Sequence, residues 1–311
     1  MNLNILFFTI ILSIFLHFFI QKLFIKYNRF DDFNHRSSHK TLATRTGGIG
    51  LFLTLFLISL FYYFNKSVLF DYSLFIPLGI MFLIGVYDDI YYADFKLKFF
   101  LQIIVAKILI NQGYVITNYH GLFGLFEIPW ILAQLSTIFV FLVVVNAINF
   151  IDGIDGLAVT ETIKIILIIE FFSESYTSLA PIGFLVITSI LPLYYFNFKN
   201  ENKVFLGDGG SMFMGTIIMI YGLYTISENY FFKPEITINK TLFLILVLLY
   251  PLADLFRVFL KRILKRKSPF VADKSHLHHI INEKLNSHLF STLLIQFIHL
   301  LIFTIFFLII N

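Results

Sequence analysis

Long apolar runs alternate with short polar segments along the whole chain. A helix needs about 20 consecutive apolar residues to cross roughly 30 Å of bilayer hydrocarbon, and these runs have about that length. The pattern therefore predicts an all-α integral membrane protein with about ten transmembrane helices. The predicted spans cover residues 3–25, 47–65, 68–87, 97–116, 129–149, 157–173, 178–197, 210–227, 241–260 and 289–310.

The composition agrees with a membrane protein. The chain has 311 residues, of which 58% are hydrophobic and only 14% are charged, whereas a soluble domain carries about 25% charged residues. The sequence contains no cysteine, which excludes disulfides and thiolate metal sites. We expect one membrane domain over residues 1–311 and no nucleic-acid partner.

Basic residues are distributed unevenly between the two sets of connections. Five connections on one side of the membrane, with their flanks, hold most of the lysines and arginines. The connections on the opposite side hold only Lys66, Lys233 and Lys240. Because cytoplasmic loops carry the excess of lysine and arginine, the basic side is predicted to be cytoplasmic. Both termini are then outside, with short turns on the outer side. The five predicted cytoplasmic loops are residues 26–46, 88–96, 150–156, 198–209 and 261–288.

Four polar clusters interrupt the apolar pattern, all on the predicted cytoplasmic side. Asn146, Asn149 and Asp152 are spaced by three residues and would share one helix face, with Asp155 in a following turn. The clusters are Asp88-Asp89, residues 146–156, residues 205–211 and residues 273–279.

Convergence of these carboxylates would be repulsive unless a cation lay among them. Carboxylate and amide oxygens suit Mg²⁺, with Mn²⁺ as an alternative. Gly207–Ser211 precedes a predicted helix, whose free amides could hold a phosphate. Taken singly, each cluster has a structural alternative: a hydrated helix end, an Asp/Gly turn, a capped loop or, for the histidines, a solvated or Zn²⁺-binding group. Together, on one face, they favour a site for anionic substrates.

Four segments contain these clusters: Asp88-Asp89 with KFFLQ (98–102), NAINFIDGIDGLA (146–158), VFLGDGGSMFMG (204–215) and PLADLFRVFLKRILKRKSPFVADKSHLHH (251–279). Together they resemble the polyprenyl-phosphate N-acetylhexosamine-1-phosphate transferases, the MraY/WecA family. The sequences of the second and fourth segments are more similar to the undecaprenyl-phosphate N-acetylglucosaminyl-1-phosphate transferase branch than to the muramoyl-pentapeptide branch. Leu42 and Ala43 stand where many members have prolines before the arginine that is Arg45 here.

The resemblance implies transfer of an N-acetylhexosamine-1-phosphate, first of all from UDP-GlcNAc, to undecaprenyl phosphate with release of UMP. This would be the first membrane step of a cell-surface polysaccharide such as O-antigen, with Mg²⁺ or Mn²⁺ as cofactor. The enzyme would lie in the bacterial inner membrane with its active site on the cytoplasmic loops, and its oligomeric state, a homodimer included, stays open. One-step and two-step mechanisms both fit.

The resemblance also assigns roles to individual residues. Asp88, Asp89, Asp155 and His279 would act in catalysis. Asn149 and Asp208 would bind the metal. The substrate contacts would be Lys98, Asp152, Arg257, His276 and His278.

Two alternatives remain open at this point. One is the phospho-muramoyl-pentapeptide transferase of peptidoglycan synthesis. The other is a polytopic transporter, whose polar residues would lie near the bilayer midplane, where Lys107, Lys164 and Glu170 fall within predicted spans. A CDP-alcohol phosphotransferase is excluded, because Asp152-Gly-Ile-Asp155 is not followed by Ala-Arg.

Overall fold

The computed structural model of the chain describes residues 3–31, 42–266 and 275–311. These residues are mostly helical, with two small two-stranded sheets. The helices are α1 (Leu3–Lys26), α2 (Gly47–Phe64), α3 (Phe75–Tyr91), α4 (Phe95–Asn111), α5 (Trp130–Ile151), α6 (Leu157–Phe172), α7 (Ala180–Phe198), α8 (Gly207–Thr225), α9 (Lys240–Val247), α10 (Leu249–Leu264), α11 (Leu277–Leu285) and α12 (His288–Ile310), with a 3₁₀ helix at Tyr72–Leu74. The strands are β1 (Ala43–Thr44), β2 (Asn118–Leu122), β3 (Leu125–Glu127) and β4 (Lys203–Val204).

Helices occupy every predicted apolar run, which confirms a helical, multi-pass membrane protein. Within the described residues, 6 helices are long and apolar enough to cross a membrane, or up to 7 if the bent pair α9 and α10 forms one span. Helices α4 and α6 have only 17 and 16 residues, and α8 starts with a glycine-rich turn that contains Asp208. The total of ten spans and the orientation remain predictions.

The described residues form two compact units, the first drawn from Met1–Val105 and Tyr176–Ile217 and the second from Ala106–Ser175 and Ile218–Asn311. In the first unit, α1 packs on α2 and α7, and α2 also packs on α3 and α7. Strand β1 pairs in parallel with β4. The expectation of a single domain stays a prediction.

Glycines allow helices of the first unit to approach each other closely. A Cβ atom on Gly48 would lie 2.2 Å from the backbone nitrogen of Gly210, and one on Gly85 would lie 2.3 Å from the carbonyl oxygen of Asp208. Because these neighbours are backbone atoms, the first turn of α8 can sit against α2 and α3 only if both positions lack a side chain.

The second unit contains two features that the sequence analysis did not predict. The antiparallel strands β2 and β3 form a hairpin that contacts α9, where only a short turn was expected. Helices α9 and α10 form a pair bent by 72° at Leu248. Pro251 accounts for this break, because it lacks an amide hydrogen and its ring clashes with the carbonyl four residues earlier. Around the break, α12 packs on α6 and α9, and α5 packs on α6 and α10.

Candidate active site

Carboxylates from two distant motif segments meet in the first unit. Asp88 lies near the end of α3, and Asp208 lies in the first turn of α8. The ammonium nitrogen Nζ of Lys98, from the first turn of α4, donates to Asp88 Oδ2 at 2.6 Å and to Asp208 Oδ2 at 2.9 Å. The ammonium group of Lys98 therefore bridges Asp88 and Asp208, two of the acidic residues predicted for the site.

Asp89 caps the N-terminus of α8. The backbone amides of Asp208 and Gly209 donate to its two carboxylate oxygens, each at 3.1 Å. Gly207 has a φ of +74°, and a Cβ there would lie 2.7 Å from Asp89 Oδ2. The prediction that these amides are free for a phosphate is wrong for Asp208 and Gly209, since a carboxylate from α3 already accepts from both.

Arg45 connects this cluster to the end of the first helix. Its guanidinium lies 2.7 Å from Asp31 Oδ1 and 3.2 Å from Asp89 Oδ1. Burial alone would lower the pKa of Arg45, but the carboxylates of Asp31, Asp89 and Asp208 outweigh burial and raise it. Similarly, burial would raise the pKa of Asp208, but its hydrogen bond with Asp88 and the charges of Lys98 and Arg45 lower it. Asp208 is therefore held as a carboxylate.

A cavity of about 290 Å³ opens beside Asp89. Two basic and two acidic residues line it, together with Tyr92 and apolar residues of α1, α2 and α3; the charged residues are Arg29, Arg45, Asp31 and Asp89.

In the second unit, the Asp-Gly motif packs against the histidine segment. Helix α5 ends at Ile151, two residues after Asn149, and Asp152 follows as its C-terminal cap. A Cβ on Gly153 would lie 2.2 Å from His278 Nε2 and 2.9 Å from His279 Cε1. The glycine therefore lets two motif segments, more than a hundred residues apart, come into contact.

Asp254 organises the histidine segment, although the sequence analysis assigned it no role. Its buried carboxylate accepts from Arg257 Nη2 at 2.7 Å, from the Leu277 amide at 2.9 Å and from His276 Nδ1 at 2.8 Å. A carboxylate inside an apolar span, three residues before an arginine, was the signal available in the sequence. Asp273 and residues 267–270 of the same segment lie outside the described residues.

Asp254, His276 and His278 are also the one group of three that could hold a metal ion within the described ranges. Their candidate ligand atoms lie within 4.8 Å of one another. Burial, and then the nearby His279 and His276, lower the pKa of His278 well below its ordinary value, which keeps its ring neutral. The predicted ligands Asn149 and Asp208 are not members of this group, and they belong to different units. Their role as metal ligands stays a prediction.

Asp155 lies in the turn between α5 and α6 and is buried. Its Oδ2 is 2.9 Å from Nδ1 of His288, and its carbonyl oxygen accepts from Thr292 Oγ1 at 3.1 Å. Both partners are residues of α12 that the sequence analysis missed. The predicted turn at Asp155 is confirmed.

Comparison with known proteins agrees with these motifs. Residues 71–226 match the family model described as Glycosyl transferase family 4. The chain is 27% identical over 293 residues to the "Probable undecaprenyl-phosphate N-acetylglucosaminyl 1-phosphate transferase" of Bacillus subtilis, covering 90% of this chain and 76% of that protein. It is 28% identical over 280 residues to the "Undecaprenyl-phosphate alpha-N-acetylglucosaminyl 1-phosphate transferase" of Salmonella typhi, covering 85% and 72%. The Escherichia coli K12 protein of the same name is 29% identical over 292 residues, covering 88% and 76%.

Proposed function

We propose that this chain, which belongs to glycosyl transferase family 4, transfers N-acetylglucosamine-1-phosphate from UDP-N-acetylglucosamine to undecaprenyl phosphate. The observation that carries the proposal is the meeting of Asp88, Asp89 and Asp208 in one cluster with Lys98. Three relatives from different bacteria are named for this reaction, and they support it over a pentapeptide transferase or a transporter.

The reaction joins two anions. A phosphate oxygen of the lipid attacks the sugar-bearing phosphorus of the UDP-sugar, and the bond from that phosphorus to the bridging oxygen breaks, so that UMP leaves. The second pKa of a phosphomonoester is about 6, so most of the acceptor is already a dianion at pH 7. Asp88 and Asp89 therefore act mainly by positioning the acceptor and the basic residues rather than as obligatory bases.

The donor set of the first unit fits Mg²⁺. Asp208, with Asp88 beside it, offers oxygen ligands at a site held by Lys98 and Arg45, and the sequence lacks thiolates. We propose Asp208 as a metal ligand, with Mn²⁺ as the alternative ion. Asn149 lies in the second unit and remains a ligand predicted from the sequence. When bound, the ion would neutralise diphosphate charge and make UMP a better leaving group. We also propose that Lys98 contacts the phosphates of the substrates.

In the second unit, the donor atoms suit the sugar nucleotide. Asp254 accepts from His276 Nδ1, so Nε2 of the neutral ring is a hydrogen-bond acceptor, which suits a sugar hydroxyl group. Arg257 is held by Asp254 and by the carbonyl oxygen of Ser275 at 2.6 Å. The remaining assignments are substrate contacts for Asp152 and His278 and catalytic roles for Asp155 and His279.

The membrane arrangement belongs to the same proposal. Ten spans, both termini outside and the active site on cytoplasmic loops of the bacterial inner membrane agree with the lysine and arginine bias. The product would enter a cell-surface polysaccharide pathway. We propose one polytopic domain over residues 1–311, present as a monomer or as a homodimer.

Release of UMP by purified protein tests the proposal. We expect turnover with UDP-N-acetylglucosamine, undecaprenyl phosphate and Mg²⁺, and none with Asp208→Asn. Asp71→Asn is the matched control, because Asp71 caps the 3₁₀ helix through the Ser73 amide and lies outside the cluster. Near-normal turnover of Asp208→Asn would rule out its assigned role. A panel of UDP-sugars, including the muramoyl-pentapeptide donor, would decide the sugar.

A further inference from the structure

Helix α12 carries a row of polar side chains that the proposed chemistry does not use. His288, Thr292, Gln296 and His299 are spaced by four, four and three residues, and side chains at such spacings share one helix face. Thr292, Gln296 and His299 are buried in an otherwise apolar helix. This row, called here the α12 polar face, therefore needs an explanation.

The middle of the α12 polar face meets a buried ion pair of α6. Lys164 Nζ donates to Glu161 Oε2 at 2.7 Å and to Gln296 Oε1 at 2.8 Å, and Gln296 Nε2 donates to Glu161 Oε2 at 2.8 Å. A buried ion pair is no more stabilising than apolar residues of similar size, and ionisable residues within a membrane usually mark function. Stability alone does not explain these residues.

His299 extends this network to the helix break. Its Nε2 lies 3.1 Å from the carbonyl oxygen of Leu246, in the last turn of α9, and its Nδ1 contacts Lys164 Nζ. A carbonyl oxygen can only accept, so Nε2 must carry the hydrogen, and Nδ1 then accepts from Lys164. The ion pair of α6 thus fixes the end of α9, just before the bend at Leu248.

The other end of the α12 polar face holds the Asp-Gly turn. The backbone amide of Asp155 donates to Nδ1 of His288 at 3.1 Å, and Thr292 donates to the carbonyl oxygen of Asp155. Beyond the bend, α10 carries Asp254 and Arg257. One helix face therefore contacts both the turn that carries Asp155 and the break that sets the direction of α10.

We infer that the α12 polar face, with the Glu161–Lys164 pair, positions the Asp155 turn and the Asp254-bearing helix for the transfer reaction. Gln296 and His299 are positioning residues, since they act through Glu161, Lys164 and Leu246. The link to the transfer reaction rests on the proposed function. The effect of the α12 polar face on the direction of α10 does not depend on it.

Kinetics of His299→Leu test the inference. We expect kcat to fall by about tenfold to a hundredfold, the cost of a small misplacement of catalytic groups. KM for UDP-N-acetylglucosamine should rise as well, since α10 carries Arg257 and also Asp254, which holds His276. His299→Gln keeps a donor for the Leu246 carbonyl and should recover most of kcat. Thr304→Ala is the control on the same helix, because it removes only a bond to the Leu300 carbonyl.

A distance measurement tests the same inference without activity. The chain contains no cysteine, so spin labels can be placed on Leu264→Cys in α10 and Leu293→Cys in α12, which are 83% and 53% exposed. We expect His299→Leu to broaden or shift the distance distribution and His299→Gln to preserve it. An unchanged distribution in His299→Leu would overturn the inference, as would equal kcat losses in the Leu and Gln variants. Absence of transferase activity in the unaltered protein would count against the proposed function, and the distance distributions would then decide the inference.

Discussion

The acidic cluster of the first unit and the histidine cluster of the second unit are built in opposite ways. In the first, Lys98, Asp88 and Asp208 remain 18%, 18% and 29% exposed, and charges hold the cluster together. In the second, Asp254 is fully buried and is satisfied by Arg257, His276 and a backbone amide. The first cluster is accessible to ions and phosphates, whereas the second is fixed in advance by its neighbours. Under the proposed function, the first cluster would handle charge and the second would orient the sugar nucleotide.

Removal of divalent metal should have the largest effect and should tell the two clusters apart. Chelation is expected to stop UMP release completely, and Mg²⁺ or Mn²⁺ should restore it, because these ions prefer the oxygen ligands of the first unit. Rescue by Zn²⁺ alone would instead assign the metal to Asp254, His276 and His278, since imidazole suits Zn²⁺.

Gly85→Ala should damage the first cluster almost as severely. The added Cβ would lie 2.3 Å from the Asp208 carbonyl oxygen, and backbone atoms cannot move aside without separating α3 from α8. We expect a loss of about a hundredfold in kcat and a destabilisation of about 1–3 kcal/mol from overpacking. UMP release and thermal unfolding would measure the two effects.

Gly79→Ala on the same helix is the matched control, because its Cβ would meet only the Phe52 ring at 3.8 Å. Equal activity of the two variants would show that the approach of α3 to α8 is not needed.

Lys98→Met tests the charge that bridges the first cluster. It leaves the carboxylates of Asp88 and Asp208 without their shared ammonium group, and we expect kcat/KM to fall by about 10²-fold, typical of losing an electrostatic contact. The exposed Lys96 provides the control, and Lys96→Met should keep nearly full activity. If both lysine variants were equally active, Lys98 would have only a structural role.

Gly153→Ala should have the smallest effect of the four changes. Its Cβ would meet the ring of His278 rather than a backbone atom, and a side chain can move at lower cost. We expect a loss of about tenfold in kcat/KM, of the size that a displaced contact group produces. Measurement of KM for the UDP-sugar would check whether the second cluster orients the donor. An unchanged KM would argue against that role of the second cluster.

Several parts of the site could have been found by closer inspection of the sequence. Pro251 predicts a break within the span 241–260, and the spacing from His288 to His299 marks a polar face on α12. Asp254, three residues before Arg257, is an acidic residue in an apolar run. Each signal is local, but its meaning depends on a partner in another helix.

The sequence by itself determined the helical membrane class, the positions of the apolar helices, the Asp155 turn and the four motif segments, because hydropathy and turn chemistry depend on neighbouring residues. Only the tertiary structure decided that Asp89 caps α8, that Lys98 connects Asp88 with Asp208, and that Lys164 contacts Gln296 and His299. These contacts join helices far apart in the chain, and which side chains meet depends on the packing of helices at glycines and at the Pro251 break.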